Sequence, residues 1–256
     1  MNFSLSKQHQ AVLLLMVLLA LLAGCGRKGP VRPKLAPLPA APVNAVVEQQ
    51  GDALLLSWTL PAANQDGSPL TDLQGFRLYR MTYDAEQACP ECRDLSELHQ
   101  LIDLDYLQAA VRIGERLFFR DTDVRPGVGY HYRIVPFNRA GREGAPFALR
   151  RPFFDPPVPP AAVTATGHDR LVRLAWEPVR TAGELLGYNV YRRTPDQPFP
   201  FGPLNREIVT AAGYEDYGPK NDQPYLYAVR SVLRIGELTV ESGLSATVEA
   251  IPRSGL

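Results

Sequence analysis

Hydrophobic positions along the chain follow two regimes. From Ala11 to Ala23 they run uninterrupted for thirteen residues, whereas after Val43 they come in short runs rich in Val, Leu, Tyr and Phe, bounded by Gly, Pro, Asp and Asn. The second regime predicts strands, because no stretch keeps the 3.6-residue period of a long helix. The chain therefore reads as all-β. The first regime is too short to cross a hydrocarbon core roughly 30 Å thick, which takes a helix of about 20 residues. With Lys7 ahead of it and the small residues Ala23 and Gly24 before Cys25, it has the layout of an export signal over residues 1–24.

The strand-like runs occur twice. LLLSW ending at Trp58, GFRLYR from Gly75 and FRDTDVRPGVGYHYRIVPFN from Phe119 have counterparts in VRLAW ending at Trp176, GYNVYRR from Gly187 and YEDYGPKNDQPYLYAVRSV from Tyr214. Asp121 precedes Tyr130 by nine residues and Tyr132 by eleven, and Asp216 precedes Tyr225 and Tyr227 by the same intervals. Tyr79 and Tyr191 each stand four residues after their glycine. This pattern resembles the fibronectin type III family, and the resemblance implies two tandem immunoglobulin-like β-sandwiches, over residues 43–151 and 161–252. Trp58 and Trp176 are then expected to fill the two cores, and alternation sends Tyr130, Tyr132, Tyr225 and Tyr227 to one face. His131 falls on the opposite face, solvent-facing or paired across strands, and His168 falls in an exposed turn.

Leu22-Ala23-Gly24-Cys25 resembles the bacterial lipoprotein attachment box. That resemblance implies acylation of Cys25 as the mature N-terminus, and Gly26 after it, in place of Asp, implies sorting to the outer membrane on its periplasmic face. Several acyl chains would make attachment effectively permanent. The residues from Cys25 to Pro30 are also similar to the start of small proline-rich lipoproteins associated with lipopolysaccharide-translocon assembly. Five prolines between Cys25 and Pro42 predict a polyproline-like stalk over 25–42, on the order of 50 Å long at about 3.1 Å per residue. Five more between Pro152 and Pro160 predict a stiff joint that fixes the two modules' orientation.

The first copy is longer. Offsets between equivalent residues fall from 118 at the tryptophans to 112 at Tyr79/Tyr191 and 95 at Tyr130/Tyr225, so module one carries six and then seventeen extra residues. The longer insertion holds Cys89-Pro90-Glu91-Cys92, the two cysteines left once Cys25 is lipidated. Three readings stay open for them: a local disulfide that shapes the loop, favoured in an oxidising compartment; a redox-active pair, for which Arg93 is the adjacent cation; and a metal site completed by Asp94, Glu97 and His99. Arg93 after Cys92 excludes haem attachment.

Charge then narrows the function. Twenty-seven basic residues balance 27 acidic ones, which argues against a nucleic-acid partner. No nucleophile elbow, phosphate loop, dinucleotide fingerprint or metalloprotease helix appears, so no catalytic residue, cofactor or metal is expected. The expected function is that of a non-enzymatic, membrane-tethered interaction or scaffold lipoprotein, binding an envelope protein or glycan through loops or sheet edges. The alternative is a thiol-dependent assembly factor acting through Cys89 and Cys92. Pro198-Phe199-Pro200-Phe201-Gly202-Pro203 is either a sticky patch or an edge segment folded over the sandwich's open end, and Phe153-Phe154 is expected in domain–domain packing.

Overall fold

The computed structural model describes residues 37–85 and 96–255. The export signal, Cys25, the stalk up to residue 36 and the Cys89/Cys92 pair lie outside the described residues. All regular structure within them is β. Strands β1 (Val43–Gln50), β2 (Ala53–Thr59), β3 (Leu73–Asp84), β4 (Glu97–Asp103), β5 (Ala110–Ile113), β6 (Arg116–Asp121), β7 (Val128–Asn138) and β8 (Phe147–Pro152) build a first sandwich. A second follows from β9 (Ala161–His168), β10 (Leu171–Glu177), β11 (Glu184–Arg193), β12 (Gly213–Asp216), β13 (Tyr225–Ile235), β14 (Leu238–Glu241) and β15 (Val248–Ala250).

In the first sandwich the layer β1-β2-β6-β5 faces the layer β4-β3-β7-β8, and in the second β9-β10-β12 faces β11-β13 with β14 and β15. This is a tandem of immunoglobulin-like β-sandwiches. Each core forms around one tryptophan. Trp58 meets Phe76 edge-on at 5.4 Å and Trp176 meets Tyr188 at 5.2 Å, geometries that place a ring edge against a ring face. Tyr130, Tyr132, Tyr225 and Tyr227 are all buried, as strand alternation requires of residues that share a face with the core. His131 is half-buried and pairs across strands with Met81 and Arg150. His168 ends β9 opposite Leu171, half-buried beside the turn that Arg170 closes with φ 53.

The extra residues of module one become structure. The longer insertion supplies β4 and β5, which extend both layers on one flank. The shorter one builds a side loop in which Asn64, buried, donates to Ser68 Oγ and to the Pro69 carbonyl, both at 3.1 Å. That loop grips the chain ahead of β1: Ala40 N donates to Ala63 O at 3.1 Å and Gln65 N to Leu38 O at 2.8 Å. The end of the expected stalk, Pro37 to Pro42, is thus bound along the first sandwich, because its carbonyls remain free to accept hydrogen bonds even where proline removes a donor. Gly144 makes the fit possible, since a Cβ there would lie 2.1 Å from Pro39 O. Gly144→Ala is expected to cost about 1–3 kcal/mol through local overpacking. Faster amide exchange at Ala40 and Gln65, with the β2 amides still protected, is the result that checks it.

Candidate functional site

Three places hold side chains that sequence reading singled out or missed. The first is a carboxylate corner present in each module. Asp121 Oδ2 accepts from Tyr132 OH at 2.7 Å and from Arg80 Nη1 at 2.8 Å, while its Oδ1 caps Asp123 N. Asp216 repeats this with Tyr227 at 2.9 Å, Arg192 at 2.7 Å and Gly218 N. Tyr130 and Tyr225 accept from Arg125 N and Lys220 N, so the repeated Asp-Tyr-x-Tyr spacing pins the strand to its neighbouring turn in both copies. His99 belongs to the first corner, with Nε2 3.3 Å from Asp121 Oδ2.

Burial alone would raise the Asp121 carboxyl, but its bonds from His99, Tyr132 and Arg80 outweigh that and hold it at about 2. Burial raises the Tyr132 and Tyr227 phenols, and the adjacent carboxylates push the same way. Asp121 thereby stays a carboxylate, and Tyr132 and Tyr227 stay protonated, at neutral pH, which suits a structural clasp.

The second place is a seam between the sandwiches, which the sequence had only hinted at through the stiff joint. Strand β14 stays paired with β13 along its length and on its other side pairs in parallel with β1, Gln49 opposite Val240 and Gln50 opposite Glu241. The two modules therefore share one sheet in the order β11-β13-β14-β1-β2-β6-β5, with β15 also on β13. A break in the last strand permits this. Ser242 exchanges two bonds with Ser231 through its N–H and Oγ, and Ser245 does the same with Val229, so β13 stays satisfied while Gly243 and Leu244 arch away. The arch meets Gly51, where φ is +61 and an added Cβ would lie 2.9 Å from Gly243 Cα, so no side chain fits there.

Buried polar groups complete the seam. Gln49 mimics a peptide unit, donating to Phe154 O at 2.7 Å and accepting from Phe154 N at 3.0 Å. Arg151 on β8 donates to Val47 O in its own module and to Thr239 O in the other. Glu241 accepts from Tyr191 OH at 2.8 Å and from Asn189, with Arg230 at 3.7 Å. Burial, reinforced by the charge of Glu48, raises the Glu241 carboxyl against those partners. A cleft of about 270 Å³ opens here, lined by Glu48, Gln50, Asn189, Phe201, Arg206 and Glu241.

The Pro198–Pro203 segment lies on this seam and not over its own sandwich's open end. Phe201 stacks on Phe118 of module one at 4.4 Å, and Gln50 donates to Phe201 O at 3.0 Å. Phe153 belongs to the first core, while Phe154 enters the seam through its backbone.

The third place is the free flank of module one. Strands β4 and β5 end their respective layers, joined by residues 104–109. Ten large hydrophobic residues are exposed among the described residues, and five of them stand here: Leu98, Leu101, Tyr106, Val111 and Ile113. Concentrated exposed apolar surface is the ordinary mark of a contact site.

No family model matches the chain, and no curated protein is similar to it. Among solved structures, it is similar to the crystal structure of chicken CNTN1 FN1-FN3 domains, at 13% identity over 85% of this chain and 69% of that one, with a TM-score of 0.35. A structure described as "Myokine structure" matches at 17% identity over 38% of this chain and 99% of its own, with a TM-score of 0.31.

Proposed function

We propose that the protein is a lipid-anchored interaction or scaffold protein of the bacterial cell envelope, without catalytic activity. Acylated Cys25 holds it at the periplasmic face of the outer membrane, and the free flank of the first sandwich meets an envelope protein or glycan. The observation that carries this reading is how strand edges are used. The seam consumes the facing edges of both modules, and among the described residues half of the exposed large apolar side chains gather on the β4/β5 flank. Consistent with a non-enzymatic role, the strongest titratable clusters are closed hydrogen-bond corners inside the fold.

The test is photo-crosslinking in intact cells from an unnatural residue at Leu101 or Val111, with Tyr217 on the second module as control. Adducts of defined mass from the flank positions and none from Tyr217 are expected. Equal labelling at all three positions, or none, would refute the reading. Cys25→Ser is expected to move the protein from the membrane to the soluble fraction. Retention in the membrane would contradict the anchor.

A further inference from the structure

Resting on the interaction reading above, we infer that the outer edge of β4 takes an extended segment of the partner protein as an added strand. That segment is apolar in its middle and carries Lys or Arg at its ends. An exposed edge offers a row of backbone donors and acceptors, and strand addition draws affinity from them and specificity from alternate side chains.

The molecule closes two long edges and leaves this one open; the layer ends at β8 and β9 are open too, but they carry none of the exposed large apolar side chains found among the described residues. β1 is covered by β14. The corresponding edge of module two, β11, is covered by the chain that folds back after it. Tyr188 and Val209 exchange two backbone bonds at 2.8 and 3.0 Å, Leu204 N donates to Val190 O at 2.7 Å, and Asn205 Oδ1 accepts from Val190 N at 2.7 Å. In module one the equivalent neighbour of β3 is β4, seven residues long, and among the described residues no strand lies beyond it. β5 is a poorer template: it is four residues long, and its Arg112 folds back onto Gly114 O and Glu115. On β4, Leu98 and Leu101 stand opposite Tyr79 and Arg77 and remain half-exposed, available to apolar side chains of an added strand.

Charge selects the occupant. Glu97 and Asp103 bound the strand and Asp105 follows it. The arginines nearest in register are engaged elsewhere, Arg77 with Glu143 and Arg80 with Asp121 and Asp123. A second copy of this chain pairing antiparallel about Gln100 would set Glu97 against Asp103. A shift of one pair sets it against Asp105, and a parallel in-register pair sets each acid against itself. Like charges facing across strands destabilise the pairing, whereas a basic residue at each end of the incoming segment stabilises it.

Fluorescence anisotropy on the full chain tests this with two labelled nine-residue peptides of alternating Val and Thr, one ending in Lys on both sides and one ending in Glu. The Lys-ended peptide is expected to bind about ten-fold more tightly at low salt, because both ends change from repulsion to attraction. Leu98→Lys/Leu101→Lys is expected to abolish its binding, Glu97→Lys/Asp105→Lys to reverse the preference, and Arg112→Glu on β5 to leave it unchanged. Equal binding of both peptides, or loss only with Arg112→Glu, overturns the inference. So does a dimer in sedimentation that Leu101→Lys dissolves, which assigns the edge to a second copy. Flank crosslinks from Val111 that persist alongside charge-blind peptide binding would sink this inference and leave the interaction reading standing.

Discussion

Leu55→Arg is expected to lower stability by about 2–5 kcal/mol, as a core truncation does, although Leu55 sits on the outward face of β2. Its neighbours in register, Glu48 and Arg120, share that outward face, yet Leu55 is only 2% exposed, on the same face where Phe118 stacks on Phe201 of the second module. The equivalent position in module two is Arg173, which is exposed and paired with Glu215 at 2.9 Å. The loss is limited by the energy of the seam, since the chain can part the modules instead of burying a guanidinium. Denaturant unfolding should therefore split into two transitions. Arg173→Leu is expected to change stability by no more than about 0.5 kcal/mol, as surface changes usually do. A single unshifted transition for Leu55→Arg would show that the seam contributes nothing.

The second large effect is expected at Asp121. Asp121→Ala removes the acceptor shared by Tyr132, Arg80 and His99 and should cost about 3–5 kcal/mol, the usual consequence of leaving a buried charge without its partner. The same residue sets an acid limb. Its carboxyl lies at about 2 in the folded protein against 3.8 in the ordinary range, so the folded state binds that proton less readily than the unfolded chain. The stabilisation is present above pH 3.8 and lost as pH falls toward 2; it amounts to roughly 2 kcal/mol at 1.36 kcal/mol per pKa unit. Glu241 acts with the opposite sign: its carboxyl is raised above 4.5, so its contribution declines as pH rises through that window. Chemical denaturation at a series of pH values should show the limb below pH 3.8 in the parent and a flatter one in Asp121→Ala. An unchanged limb would assign the acid sensitivity to other groups.

How far the sequence could be read depends on how far apart the interacting residues lie. The sandwich cores were legible, and so was the repeated spacing of Asp121 with Tyr132 and of Asp216 with Tyr227, although that spacing did not reveal the bonds to Arg80, Arg192 and His99. The seam was not legible, because its bonds join residues about as distant as Gln49 from Phe154 and Gln50 from Phe201, and glutamine near a strand end reads as ordinary surface. One signal was present. VRLAW alternates apolar and polar residues, as a strand with one wet face should, whereas ALLLSW does not, and every residue from Ala53 to Trp58 is buried. The proline-rich Pro198–Pro203 segment announced stiffness but not the surface it would cover. In the same way, the acidic-apolar sequence Asp94-Leu95-Ser96-Glu97-Leu98-His99 gave no sign that an edge strand would begin at Glu97.

The central claim is that the seam makes the two sandwiches one rigid body. It is tested most directly by a pulsed electron-spin distance measurement between labels at Ile113→Cys and Tyr217→Cys, with the native cysteines replaced by serine. Both positions are exposed, one in each sandwich. The seam predicts a single narrow distance distribution that broadens when Leu55→Arg is added. A distribution already broad in the parent, or one that Leu55→Arg leaves unchanged, would contradict it.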